Sequence, residues 1–184
     1  APVIGIHHLL KIPLNQPLPP VSLRLGTTRG TNALLTRSGA RTLFVTTEGF
    51  GDILRIGNQD RPELFTLNIE KPAPLFESVL EVNERIDTHG KILKSLESES
   101  IRKALIKAKA LGFESVAICL MNAFVCDKHE VSIEHLAKEV GFEDVSRSSL
   151  ISPLIKLVSR ADTTVVNSYL NPVLTKYIHD ITRQ

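Results

Sequence analysis

The sequence has no tryptophan, one methionine and only two cysteines in 184 residues. Two cysteines are too few for a disulfide-stapled scaffold. No apolar run approaches the ~20 residues needed to cross a bilayer, which excludes a membrane-spanning helix. The opening Ala1-Pro2-Val3-Ile4 shows no basic region, apolar core or cleavage site of a secretory signal. An excess of one charge sign is missing too: 22 Lys+Arg face 20 Asp+Glu, with no Lys/Arg run. That leaves no clustered basic face of the kind nucleic-acid domains carry, so neither nucleic acid nor membrane is an expected partner. What remains is 42% hydrophobic and 23% charged, inside the globular range and outside the disordered one. The length fits one domain, burying roughly 70% of its unfolded surface. Cys119 lies in the apolar run 116–121 and reads as a core thiol kept reduced, so a cytoplasmic location is expected.

Hydrophobic periodicity predicts the elements. Residues 2–12 form a short apolar helix, broken by Pro13, Pro17, Pro19 and Pro20. Val21 to Leu25 alternates as a strand, and Gly26-Thr27-Thr28 ends it. A helix follows through Asn32, with Gly39 as its stop. A second unit repeats the order: strand 41–45, turn Thr46-Thr47-Glu48-Gly49, then helix 50–56 stopped by Gly57. Residues 58–76 are irregular. Val79 to Ile86 and Lys91 to Leu93 form a hairpin around Asp87-Thr88-His89-Gly90. Residues 58–94 thus read as an inserted loop and hairpin.

The clearest helix is 99–111, where Ile101, Ala104, Leu105, Ala108 and Leu111 share one face. Ser98 is its expected cap and Gly112 its stop. Residues 116–121 read as a strand buried on both faces. Asp127 and Glu130 have capping-box spacing ahead of a helix whose face is Ile133, Leu136, Ala137 and Val140. A short strand near Val145 and a helix over 155–170 follow. Asn171-Pro172 is expected to interrupt that helix and start a last one to Thr182, burying Leu174, Tyr177, Ile178 and Ile181. Such alternation predicts an α/β fold with a mostly parallel sheet and an added hairpin. In that architecture ligands bind beyond the C-terminal strand ends. Thr27, Thr46 and Asn122 fall at predicted strand ends.

Standard chemical signatures are largely missing. There is no Walker A loop, dinucleotide fingerprint or nucleophile elbow. Gly26-Thr27-Thr28-Arg29-Gly30-Thr31 is either a tight turn with Thr capping or an anion-holding helix start. His129 and His135 are six residues apart, on different helix faces, and read as surface histidines. Cys119, Cys126 and His129 lack the spacing of a closed four-ligand zinc set, so no metal site is expected. Arg85 and Asp87 flank a turn and read either as a turn pair or as site residues. Asp162, Thr163, Thr164 and Asn167 put polar groups on a helix against local propensity, a pointer to a site.

Five segments in order, covering nearly the whole chain, resemble the hydantoinase A/5-oxoprolinase family. They are Gly26 to Ala40, Val45 to Asp52, Ile56-Gly57-Asn58-Gln59 with Arg61-Pro62, Glu84-Arg85-Ile86-Asp87 with Gly90, and Thr163 to Pro172. The resemblance implies an actin-like ATPase lobe on a ribonuclease-H-like core. It implies an ATP-dependent hydrolase that opens cyclic amides such as 5-oxoproline or N-methylhydantoin, using ATP and Mg²⁺ in the full-length protein. Phosphorylation of an amide oxygen would create a good leaving group, with positioned donors offsetting the charge. Glu48 and Asp52 are the implied catalytic residues. Thr27, Thr28, Asn32, Thr46, Thr47, Gly49, Arg61, Arg85, Asp87, Arg160, Thr163, Thr164 and Asn167 are the implied substrate contacts.

The family also begins with an Asp-x-Gly-Gly-Thr phosphate-loop hairpin and continues into a second ATPase lobe, neither of which is in this sequence. The expectation is therefore a single domain cut from a larger enzyme, inactive alone and holding no ATP or Mg²⁺ itself. Related family members are ATP-using subunits of acetone-type carboxylases. A second, B-type subunit and self-association are accordingly expected as partners, with a carboxylase subunit or a non-catalytic binding module as the alternative functions.

Overall fold

The computed structural model describes residues 2–22, 24, 26–58, 65 and 71–182. Its elements are α1 (Pro2–Leu10), α2 (Arg29–Leu35), β1 (Thr42–Thr47), α3 (Ile53–Ile56), β2 (Phe76–Val82), β3 (Arg85–Ile86) and β4 (Ile92–Lys94). They continue with α4 (Ser98–Ala110), β5 (Ser115–Cys119), α5 (Lys128–Val140), β6 (Asp144–Arg147), α6 (Ser148–Ile151) and α7 (Leu157–Thr182). Four parallel strands make one sheet in the order β2-β1-β5-β6, and β3 and β4 make a small antiparallel pair. The expected α/β class, a mostly parallel sheet plus a hairpin, is what forms. Among the described residues no helix is long and apolar enough to cross a membrane.

The two-residue period of a strand divides the core into two layers. Leu43, Val45, Val116 and Ile118 face α4 and α5, meeting Leu105 and Ile133. Phe44, Ala117 and Cys119 face α7, meeting Ala161 and Val165. Val45, Val116, Ile118, Leu105 and Ile133 are wholly buried, and each such side chain contributes about 1.5–3 kcal/mol. All of β1 and β5 is buried because these are the two central strands, covered on both faces.

Helix α7 runs antiparallel to the strands. Arg160 meets Leu120 just past the end of β5, Ser168 donates to the Val116 carbonyl near its start, and Tyr169 accepts from the Ala40 N–H ahead of β1. Helix α7 does not break at Asn171-Pro172 as expected; it is continuous for 26 residues with Pro172 inside. Proline removes one ladder hydrogen bond, yet α2 packs across that point. A Cβ on Gly30 would lie 3.8 Å from Leu170 and 3.9 Å from Leu174, and Arg29 stacks 4.5 Å from the Tyr177 ring centre. The expected buried face there is only partly covered, and Ile178 is exposed.

Other expectations are corrected locally. Val21, Ser22 and Arg24 form no strand, and Leu23 and Leu25 lie outside the described residues. Gly39 does not stop α2. Arg37, at φ 54°, takes the left-handed position, with Ser38 N–H bonded to Ala33 O and Arg37 N–H to Leu34 O. Gly39 is required instead because a Cβ there would stand 2.1 Å from the Tyr169 ring. Thr46 and Thr47 end β1 and do not form a turn. The arm expected over Val79 to Ile86 is split: β2 joins the main sheet beside β1, and only β3 enters the hairpin. Glu97, not Ser98, precedes α4. The capping box of α5 is not made, since neither Asp127 nor Glu130 caps; Asp127 pairs with Arg147 at 2.8 Å.

Candidate functional site

The C-terminal edge of the parallel sheet gathers Thr46 and Thr47 from β1, the 120–126 turn after β5, Ser148 after β6 and Glu84 after β2. The β3–β4 hairpin lies across this edge. Asn122, held at φ 58°, donates Nδ2–H to the Ile86 carbonyl at 2.8 Å. Gly90 packs where a Cβ would touch Val125 and Cys126 at 3.4 and 3.5 Å.

Two buried polar chains underlie the edge. In the first, the Met121 N–H donates to Thr47 Oγ1 at 2.9 Å, and the Thr47 hydroxyl donates to Glu84 Oε1. Glu84 Oε2 meets His129 Nδ1 at 2.7 Å. As a carboxylate Glu84 only accepts, which puts the imidazole proton on Nδ1. In the second, Glu130 accepts from the Leu120 N–H at 2.9 Å, Ser148 Oγ at 2.5 Å and the Ser149 N–H at 2.8 Å. The Leu120 carbonyl in turn accepts from Arg160 Nη2 at 2.7 Å. Glu84, Glu130, His129 and Arg160 are all buried. Charges so placed persist only when paired and hydrogen-bonded.

Above this floor sits an exposed loop. Glu48 is exposed and anchored by its N–H to the Val82 carbonyl. Gly49, at φ +87°, and Gly51 aim their N–H groups at one oxygen of Glu81, at 3.0 and 2.8 Å. Asp52 is exposed and lies 3.8 Å from Arg55. Arg85 lies 5.5 Å from the Phe50 ring centre, coupling the hairpin to the loop.

The predicted residues divide into groups. Thr46, Thr47, Glu48, Gly49, Asp52, Arg85 and Arg160 meet at or beside this edge. Asp87 holds the hairpin turn, accepting from the N–H groups of His89 and Lys91 at 2.9 Å each. The Lys91 N–H holds its carboxyl below the ordinary value. Thr163 and Thr164 donate back to the carbonyls of Ser159 and Arg160 along α7, and Asn167 donates to Ser146 Oγ at 2.9 Å. Thr27, Thr28 and Asn32 are exposed around the start of α2, beside Tyr177. That point lies about 25 Å of helix from Arg160, so the structure does not bring them to the same edge. Arg61 lies outside the described residues. A cavity of about 390 Å³ along the helix side of β2, with Arg37 and Asp162 on its wall, contains none of the predicted contacts.

Sequence reasoning missed Glu81, Glu84 and Glu130, and read His129 as a surface residue when it is buried. A signal was present. Residues 129 and 130 stand four and three before Ile133, so they continue the apolar face of α5. His135 is exposed, as expected. Cys119 is a core thiol; burial pushes it up to about 12.

Comparison with known proteins gives a consistent set of matches. A family model described as the hydantoinase/oxoprolinase N-terminal region matches residues 1–141. The chain is 35% identical over 217 residues to 5-oxoprolinase of Saccharomyces cerevisiae, covering 98% of this chain and 17% of the yeast protein. It is 38% identical over 206 residues to 5-oxoprolinase 1 of Arabidopsis thaliana, covering 97% and 16%. Its fold matches the ATP-dependent caprolactamase from Pseudomonas jessenii with a TM-score of 0.76 and 25% identity, over 85% of this chain and 23% of that one. The chain thus spans about a sixth of the length of these curated relatives.

Proposed function

Since the chain belongs to the hydantoinase/oxoprolinase family, we propose that it forms the substrate-facing part of an ATP-dependent enzyme that opens small cyclic amides. The observation that carries this reading is the contrast at the sheet edge. Thr47, Glu84 and His129 lock the strand end from below, while Glu48 stands exposed on the loop above. A fixed backbone with a free carboxylate suits a group that orients water or takes a proton. In this reading Glu48 is the base, Asp52 assists it, and Arg85 and the Gly49 N–H hold the substrate's polar atoms. Arg160 and Thr46 form the floor behind them.

The nucleotide belongs to the remainder of the protein. This chain has no Gly-rich phosphate loop, and the described residues hold no group of three His, Cys, Asp or Glu able to take a metal ion. The described residues do not fit ATP and Mg²⁺. A cytoplasmic location, in keeping with two free thiols, is part of the same proposal.

The test is lactam-dependent ADP release by the full-length protein, with 5-oxoproline and N-methylhydantoin offered in turn. Glu48→Gln should lower it about 100-fold or more, the usual contribution of a general base, while the variant keeps the unfolding midpoint of the wild type. Turnover at the wild-type rate would overturn the assignment of Glu48. Absence of lactam-dependent ADP release with every cyclic amide would overturn the hydrolase reading itself.

A further inference from the structure

Behind the exposed loop, on the α7 side of the sheet, the reading above leaves Glu81 and Cys119 unused and gives Thr46 and Arg160 only the part of a floor. Register sets Glu81, Thr46 and Cys119 side by side across β2, β1 and β5. Alternation points Thr46 the same way as Phe44 and Cys119, toward α7. From α7, Arg160 lies near enough to the Cys119 thiol to act on its charge. Among the described residues, Thr46 Oγ1 and the Nε and Nη1 of Arg160 are buried without a hydrogen-bond partner. Both residues are 0% exposed. Buried polar groups are almost always paired, so these three atoms between the sheet and α7 leave room for a partner, although the Arg160 guanidinium also lies 5.5 Å from the Phe124 ring centre. Those on Arg160 are donors and the hydroxyl can donate, which suits an anion.

Beside this face the loop already holds an anion, from the protein itself. The Gly49 and Gly51 N–H groups converge on Glu81 Oε1 at 3.0 and 2.8 Å. Gly49 needs glycine for its backbone, and Gly51 keeps room for the Glu81 carboxylate. Gly49 sits at φ +87°, and a Cβ on Gly51 would stand 2.9 Å from that same oxygen. Glu81 is exposed, so its carboxylate can swing into water. Arg85, stacked on Phe50, has no ion pair among the described residues and stands beside the loop.

We propose that the Gly49 and Gly51 amides form a carboxylate-binding subsite, and that Glu81 is its resident and displaceable occupant. The ligand is a small monocarboxylate. Taken with the cyclic-amide reading, on which this part rests, it is the carboxylate of a carboxyl-bearing lactam, which displaces Glu81 and turns toward Thr46 and Arg160. A neutral lactam gains nothing there. Glu81 therefore acts as an internal competitor, and the apparent affinity for ligand falls by the fraction of molecules in which the amides are open.

The experiment is a titration of the 184-residue chain, ¹⁵N-labelled, followed at the Gly49 and Gly51 amides. The probes are 5-oxoproline and 2-pyrrolidone, which differ only in the carboxylate. With 5-oxoproline both amides should shift, and Glu81→Ala should lower the half-saturating concentration about tenfold. Glu81→Gln, which keeps an acceptor but loses the charge, should lower it less, and it serves if the alanine variant fails to fold. Thr46→Val should raise it. 2-Pyrrolidone should leave both amides in place. Equal shifts with the two probes, or an unchanged half-saturation in both Glu81 variants, would overturn the proposal. Because these amides report binding without ATP, the subsite and the hydrolase reading can fail separately.

Discussion

Glu130 and Arg160 grip opposite ends of one peptide group: the Leu120 N–H donates to Glu130 Oε1 at 2.9 Å, and the Leu120 carbonyl accepts from Arg160 Nη2 at 2.7 Å. Both side chains are 0% exposed. The carboxylate and guanidinium therefore compensate each other through a polarised peptide bond and not by direct contact. Removing one partner of a buried charge pair leaves the other uncompensated, at a cost of about 3–5 kcal/mol. Glu130→Ala should destabilise the chain by that order in urea unfolding. Glu130→Gln, which keeps one acceptor oxygen but loses the charge, should cost less. A loss below about 1 kcal/mol for the alanine variant would mean that Arg160 does not depend on Glu130.

Adjacent threonines at the end of β1 should respond in opposite directions to the same substitution. Thr47 is satisfied twice, accepting from the Met121 N–H and donating to Glu84. Thr46 Oγ1 has no partner among the described residues. Thr47→Val leaves the part-buried Met121 N–H and a buried carboxylate oxygen unmet, the latter costing about 1–3 kcal/mol. Thr46→Val removes an orphan hydroxyl at nearly constant volume and should be neutral or stabilising. Denaturation midpoints of the two variants would decide it; a Thr46→Val loss as large as that of Thr47→Val would show that Thr46 has a partner in solution.

The same pair of strands shows what a sequence can and cannot carry. The run Val116 to Cys119 was legible as a doubly buried strand because every residue in it is apolar. Helices α4 and α5 were legible because Ile101, Leu105, Ile133 and Ala137 recur at helical spacing. His129 and Glu130 keep that spacing but are polar, and polarity outweighed position. The partner that makes their burial tolerable, Glu84 for one and Ser148 with Leu120 for the other, is distant in sequence. Parallel pairing of β2 with β1 was hidden for the same reason. Val79, Leu80, Val82 and Ile86 look like one hairpin arm, and only the tight turn from Glu84 N–H to Val82 O, at 3.0 Å, separates them. Pro172 signals a break locally, and α2 overrides it by packing. At the candidate site a strand running into a loop was legible, but Thr46 and Thr47 read as turn where they end β1, and residues 50–52 read as helix where α3 starts at Ile53. Thr27, Thr28 and Asn32 are grouped with them by the family resemblance, and the strand expected just before them does not form in the described residues.

Cys119 should be inert where Cys126 reacts. Burial pushes the Cys119 thiol up to about 12, although Arg160 and Ser148 beside it pull the other way. At pH 8 its thiolate fraction is then on the order of 10⁻⁴, and the thiolate is the nucleophile. Cys126 is half-buried on the edge turn. Iodoacetamide should add once to the folded chain, at Cys126, and twice after unfolding in urea. Alkylation of Cys119 in the folded chain at the rate of Cys126 would show that the sheet edge opens far more readily than its packing implies.

Asp87 separates a turn role from a ligand role through its titration. Its Oδ1 accepts from the Lys91 and His89 N–H groups, and the Lys91 bond, the largest influence, lowers its folded value below the ordinary 3.8. A lowered carboxylate contributes stability that is present above its unfolded value and is lost as pH falls through its folded value. The hairpin should therefore hold from neutral pH down to about 3.8 and loosen only below it. Amide shifts of His89 and Lys91, followed from pH 6 to pH 2, should share one step with a midpoint under 3.8. Asp87→Asn keeps an acceptor oxygen at the same place and should abolish that step while leaving the β3–β4 pairing intact. If the full-length protein with Asp87→Asn retains its lactam-dependent ADP release, Asp87 serves the turn alone. If activity falls about 100-fold or more with the hairpin amides unchanged, the carboxylate charge itself is being used on the substrate.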